Sequence, residues 1–151
     1  MKKIIIIFVF WFLSGCGYQP SNNFINQNYF ISTYELNGDK KINNILKRNF
    51  DMYKYSSKSI KSYKLVTNNE IIKSNRTKNL QGEATSLSLK IRLSVDVFDS
   101  DKFIKKFQYE ETTNYNNLSN KFELSQYENI LISDIINKMI RNIHVQLSNI
   151  G

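Results

Sequence analysis

The chain has 151 residues, one cysteine, one histidine, and 21 basic against 13 acidic side chains, a formal charge of +8. One cysteine excludes a disulfide framework, a lone histidine excludes a zinc site of ordinary composition, and five scattered glycines form no phosphate-cradling loop. The positive excess suits an anionic partner, although abundant Lys, Asn and Ile with little Ala and Gly is also the composition of an AT-rich genome.

Lys2 and Lys3 precede an unbroken apolar run from Ile4 to Leu13, the layout of an export signal. Roughly 10 to 12 apolar residues reach about 15 to 18 Å as a helix, well short of a hydrocarbon core of about 30 Å. A stable membrane span is therefore not expected. The next residues, Leu13-Ser14-Gly15-Cys16, resemble the bacterial lipobox. That resemblance implies cleavage before Cys16, diacylglycerol on its thiol and a mature N-terminus carrying three acyl chains, palmitate among them. Three chains would hold the protein to a membrane essentially permanently. Lipid attachment also accounts for the odd cysteine, which has no disulfide partner in an exported chain. An ordinary secretory signal and a short uncleaved anchor are the alternatives. Gly17 stands where, in well-studied bacteria, an aspartate favours retention at the inner membrane, so the outer membrane is implied. Residues 1–15 are then signal peptide, 16–28 an Asn-rich tether with the only proline, Pro20, and 29–151 a single domain. Loss of Lys2 and Lys3 lowers the formal charge from +8 to about +6. Export argues against nucleic acid as a partner.

Tyr29 to Leu36 is aromatic and β-branched and breaks at Asn37-Gly38, a strand and a turn. Asp39 is a suitable N-cap, and Ile42, Ile45, Leu46 and Phe50 share one helical face, with Tyr53 extending it and Ser56 to Ser59 closing it. Lys61 to Ile72 reads as a second strand, with a bulge or break at Asn68-Asn69. Leu87, Leu89, Ile91, Leu93, Val95 and Val97 alternate with polar residues, which is a strand with one dry face. Asp99 to Lys102 is a turn, and Phe103 to Tyr115 a fourth strand with Phe103, Phe107, Tyr109 and Tyr115 on one parity, so the last two strands form a hairpin. Ser125 and Glu128 have the spacing of a capping box, Ser119 being an alternative start. The long helix beyond buries Tyr127, Ile130, Leu131, Ile135, Met139 and Leu147, with His144 or Ile143, in a stripe widened by Ile132, Ile136 and Ile140. The order β-α-β-β-β-α predicts an α+β fold with two helices on one face of a roughly four-stranded sheet and a polar opposite face.

Catalytic chemistry is sparse. His144 on its helix suits a core-edge or surface role better than a ligand role. Glu110 and Glu111 are adjacent on a strand and point to opposite faces, and Asp99 and Asp101 serve a turn. No nucleophile with a base is apparent, and neither an enzymatic activity nor a cofactor is expected.

Cys16-Gly17-Tyr18-Gln19-Pro20 after the lipobox, Leu36-Asn37-Gly38-Asp39-Lys40-Lys41-Ile42-Asn43-Asn44-Ile45-Leu46 into the first helix, the alternating hairpin and the amphipathic C-terminal helix together resemble the LPS-assembly lipoprotein LptE (RlpB-like) family of Gram-negative bacteria. That resemblance implies a lipid-anchored outer-membrane protein, on the periplasmic side, that plugs the LPS-assembly β-barrel LptD, assists its assembly and supports insertion of lipopolysaccharide into the outer leaflet. A peptidoglycan-binding or synthase-activating lipoprotein, or a channel pilotin, is the alternative. The tether spans at most about 40 Å, which keeps the domain near its membrane and favours a barrel partner over the cell wall. Lys90 and Arg92 share one strand face roughly 6.6 Å apart, with Lys106 on the polar parity of the next strand. They form a candidate contact for the phosphates of lipopolysaccharide. Arg76 and Lys78 are other basic positions available to it, and a plain solvated face is the simpler alternative.

Overall fold

The computed structural model describes residues 28–54 and 61–150. The signal, lipobox and tether assignments, Leu13, Ser14, Gly15 and Cys16 included, lie outside the described residues, as does the Ser56 to Ser59 stretch.

Six elements follow in the expected order: β1 (Tyr29–Gly38), α1 (Lys40–Asp51), β2 (Lys61–Lys78), β3 (Ala84–Asp99), β4 (Lys102–Asn116) and α2 (Lys121–Ser148). The strands lie in chain order in one sheet, β1 parallel to β2 and the other pairs antiparallel. A parallel neighbour needs a crossover, which α1 supplies, while β2, β3 and β4 need only turns. The alternating run is borne out: Leu89, Ile91, Leu93, Val95 and Val97 are buried, in one core with Ile42, Leu46 and Phe50 of α1 and Ile136, Met139, Ile140 and Ile143 of α2, and Leu87 at its start is half-buried.

Local chemistry sets the boundaries. Gly38 continues β1 past the expected end and turns the chain at φ +110, where an added Cβ would lie 1.9 Å from the Asn69 carbonyl oxygen. Asp39 then caps α1 by accepting from the Lys41 and Ile42 amides at 2.8 and 3.2 Å. Asn68-Asn69 is no break. Asn69 is buried on the helix side, donates to the Asn37 carbonyl and the Asn43 side chain, and accepts from the Asp39 amide. A fully satisfied amide sits inside a strand at little cost.

β2 runs six residues beyond Ile72, to Lys78, and its irregularities fall between Asn75 and Lys78. From Ile72 to Lys78 every residue is exposed, so no alternation marks the strand in the sequence. Ser100 (φ 49) and Asp101 (φ 68) are both left-handed, the pair a two-residue type I′ hairpin needs. Phe103 is a correction. A register shift between Val97 and Phe98 sets it opposite Phe98 on the outer face, 52 % exposed, while Phe107 and Tyr115 are buried as expected.

Helix α2 also begins elsewhere than expected. Asn120 is its cap, accepting from the Phe122 and Glu123 amides, and neither Ser125 nor Ser119 serves. The helix therefore starts a turn before Ser125, which leaves Glu128 in its interior facing the sheet. Its buried stripe runs through Leu124, Glu128, Ile132, Ile135, Ile136, Met139, Ile140, Ile143, His144 and Leu147. Tyr127 and Ile130, expected inside, are exposed.

Candidate functional site

The outer face of the sheet carries the sequence's candidate cations on rigid strands. Glu70, Arg92 and Glu110 stand directly opposite one another across β2, β3 and β4. Arg92 uses that register fully, with Nη1 donating to Glu70 Oε1 at 2.8 Å and Nε to Glu110 Oε2 at 2.7 Å. Lys90 Nζ lies 3.0 Å from the other oxygen of Glu110, and Lys106 Nζ lies 3.5 Å from Asp96. The Arg92 and Lys90 hydrogen bonds hold the Glu110 carboxyl below the usual carboxylate range, and those from Glu110 and Glu70 raise the guanidinium. Around Arg92 the face forms an open trough of about 580 Å3, lined by the side chains of this triad with Asn68, Ser94 and Gln108 among its neighbours.

All three candidates thus share one face, and each already faces a carboxylate. A phosphate arriving there would compete with Glu110 for Lys90, with Glu70 and Glu110 for Arg92, and with Asp96 for Lys106. Arg76 and Lys78, on the exposed end of β2, have no carboxylate within 4.0 Å among the described residues. Glu70 was the partner that sequence reasoning missed. Cross-strand partners follow from register, and register was not legible before the strand order was known.

Two polar clusters lie between helices and sheet. His144 is 4 % exposed, a core residue rather than a surface one. The Tyr29 hydroxyl donates to its Nδ1 at 2.5 Å, its Nε2 donates to Asn49 Oδ1 at 2.6 Å, and Tyr53 stacks on the ring at 3.9 Å. An amide oxygen can only accept, so Nε2 carries the hydrogen, and Nδ1 is then the acceptor for Tyr29 in the neutral ring. Burial pushes its pKa down to about 4. In the second cluster, Glu128 of α2 pairs with Lys73 of β2 and accepts from the Tyr115 hydroxyl of β4 at 2.6 Å. Burial alone would raise its carboxyl, but the Lys73 ammonium and Tyr115 hydroxyl hold it below the ordinary value. Glu110 and Glu111 do point apart, Glu111 reaching Lys138 of α2. Among the described residues no three His, Cys, Asp or Glu side chains are grouped to hold a metal ion.

These clusters join elements to one another, and of their members only Lys73 is exposed to solvent. What the molecule offers outward is a sheet face with balanced charge, a basic distal strand end and a few exposed apolar side chains. No protein-family model and no curated protein matches the chain. Solved structures do. The rare lipoprotein B from Shewanella oneidensis superposes with a TM-score of 0.57 at 10% identity, over 78% of this chain and 97% of that one. An uncharacterized lipoprotein B from Nitrosomonas europaea gives 0.55 at 14%, over 82% and 90%, and a minor lipoprotein from Acinetobacter baumannii gives 0.53 at 15%, over 76% and 92%. The chain has the rare lipoprotein B fold. At such identities the likeness is one of architecture, and it extends over nearly the whole of each lipoprotein.

Proposed function

We propose that this chain is an outer-membrane lipoprotein of the LptE family. In this reading residues 1–15 are removed, Cys16 is acylated, residues 16–28 tether a single domain of residues 29–151, and the domain plugs the barrel LptD and supports insertion of lipopolysaccharide. The observation that carries it is the rare lipoprotein B fold over 97% of the Shewanella protein, on a chain that opens with Leu13-Ser14-Gly15-Cys16. The physical chemistry agrees with such a role. The interior of a large outer-membrane barrel is polar, and a sheet face whose cations are matched by carboxylates can lie against it without burying an unpaired charge. The role requires no catalytic group.

Two basic sets compete for lipopolysaccharide phosphates. Lys90, Arg92 and Lys106 are spaced for it but engaged, whereas Arg76 and Lys78 can bind without breaking an ion pair, so the latter are the stronger assignment. Charge reversal separates them. Arg76→Glu with Lys78→Glu is expected to weaken binding of purified lipopolysaccharide at low salt about tenfold, roughly 1.4 kcal/mol. Lys90→Glu with Arg92→Glu should do less, and the opposite ranking would return the contact to the sheet face. The larger claim is tested by purification in gentle detergent, where one large barrel protein should co-purify in near-equal amount. Recovery of the chain alone, or with peptidoglycan fragments, would remove it.

A further inference from the structure

The end of the sheet where the described chain begins carries apolar surface that the core does not use. The Asn28 carbonyl accepts from the Lys61 amide at 3.2 Å and its side chain donates to the Ser148 carbonyl at 3.4 Å. Residue 28 is therefore fixed beside the start of β2 and the end of α2. The β3–β4 turn lies at the same end, because Phe98 stands opposite both Lys64 and Phe103. Just past it runs Lys102-Phe103-Ile104-Lys105-Lys106, exposed at every position. Phe103 is 52 % and Ile104 37 % exposed, and Phe103 rests edge-on against Phe98 with ring centroids 5.8 Å apart. Lys102 and Lys105 have no carboxylate partner among the described residues, and Lys106 meets Asp96. Asp99 and Asp101 in the turn temper the local charge, so apolar contact must supply most of any attachment. The turn that holds the fully exposed Leu80 is at the other end of the sheet, 14 residues along β2 from Lys64 to Lys78, roughly 46 Å at about 3.3 Å per residue.

We propose that, before the domain enters a barrel, Phe103 and Ile104 form a second, non-covalent membrane contact, seated at the headgroup boundary of the bilayer that the acyl chains on Cys16 enter, with Lys102 and Lys105 beside lipid phosphates. The contact rests on the acylation proposed above. Eleven residues lie between Cys16 and Asn28, a leash of at most about 40 Å. Such a leash keeps the Phe103 end within reach of the bilayer at every extension, whereas the Leu80 turn reaches it only if the domain lies down. An aromatic and a branched aliphatic side chain flanked by lysines is the composition of an interfacial contact. Isolated exposed apolar residues elsewhere, such as Met52 and Ile130, need no such explanation.

Trp11 is the only tryptophan, and it leaves with the signal peptide, so the mature protein is a dark background for a single reporter. Lipoprotein matured in cells is reconstituted into phosphatidylethanolamine and phosphatidylglycerol vesicles as Phe103→Trp or as Leu80→Trp. The reporter at 103 should emit to the blue of its position in detergent-free buffer and lose most of its intensity when brominated lipids are included. The reporter at 80 should do neither. Adding Ile104→Asp to Phe103→Trp should restore the lost intensity while the far-ultraviolet circular dichroism stays unchanged. Equal quenching at 80 and 103, or none at 103, overturns the contact. Mass spectrometry of the N-terminal peptide on the same sample separates the two claims. An acylated Cys16 with an unquenched reporter rejects this contact alone, and an unmodified thiol rejects the anchor and the contact together.

Discussion

The imidazole of His144 is held on both nitrogens by uncharged partners, Tyr29 and Asn49, with Tyr53 against its face. Nothing there welcomes a proton, and burial has moved its pKa from 6.5 to about 4. Above pH 6.5 the folded and unfolded chains are both neutral at this site and its stabilisation is complete. Below 6.5 the unfolded chain takes up a proton that the folded chain refuses, so stability falls with pH until about pH 4 and then levels off. The displacement corresponds to about 3 kcal/mol. Denaturant midpoints measured between pH 7 and 4 should show the parent losing about that much more stability than His144→Gln. Parallel curves would mean that the ring is already open to water.

Among the elements, α2 depends on its one buried acid as well as on its apolar stripe. Glu128 joins α2 to β2 through Lys73 and to β4 through Tyr115. Glu128→Ala would leave the Tyr115 hydroxyl and the half-exposed Lys73 without their acceptor, and is expected to cost about 3 kcal/mol in thermal or chemical unfolding, with Glu128→Gln losing less. Ile91, fully buried in the middle of β3, should cost about 2 to 5 kcal/mol on truncation to Ala, read as a lower denaturant midpoint at unchanged slope. How well these elements could be read from the sequence tracks how much of each is dry on one side. The run Leu87 to Val97 was unmistakable because one parity is core and the other is solvent. The end of β2 was invisible because both of its faces are wet. Phe103 was misplaced because a bulge reverses faces without leaving a mark in the hydrophobic pattern. Glu128 was misread as a cap because a carboxylate three residues after a serine looks the same whether it closes a helix or pairs across a layer. The outer face was read correctly as polar and basic in its residues, but its charge balance depends on Glu70 and Glu110, whose positions beside Arg92 only the strand register reveals.

For the molecule as a whole, the layout has helices on one side of the sheet and the strand-to-strand ion pairs on the other. Among the described residues the only crossover lies between β1 and β2, and the other strands form a meander joined by short turns. Pairing within the meander can start at its short turns and zip outward, while every β1–β2 pair must first close a loop of about 32 residues, as Tyr29 with Lys61 does. Native-state hydrogen exchange should therefore rank the amides of β3, paired on both sides, as the slowest, and those of β1, an edge strand, as markedly faster. Protection of β1 equal to that of β3 would show a single cooperative unit. The parallel pairing also sets an order of assembly. In a chain that crosses a membrane N-terminus first, β1 emerges before the strand it must pair with, and antiparallel pairing with β2 is not what it finds in the end. The segment nearest the leash waits while β2, β3 and β4 zip together, then docks last with α1 closing over it. With the anchor proposed above, this aromatic, β-branched strand would spend that interval beside the bilayer as the stretch most open to a chaperone, a brief solitude that follows from one parallel ladder.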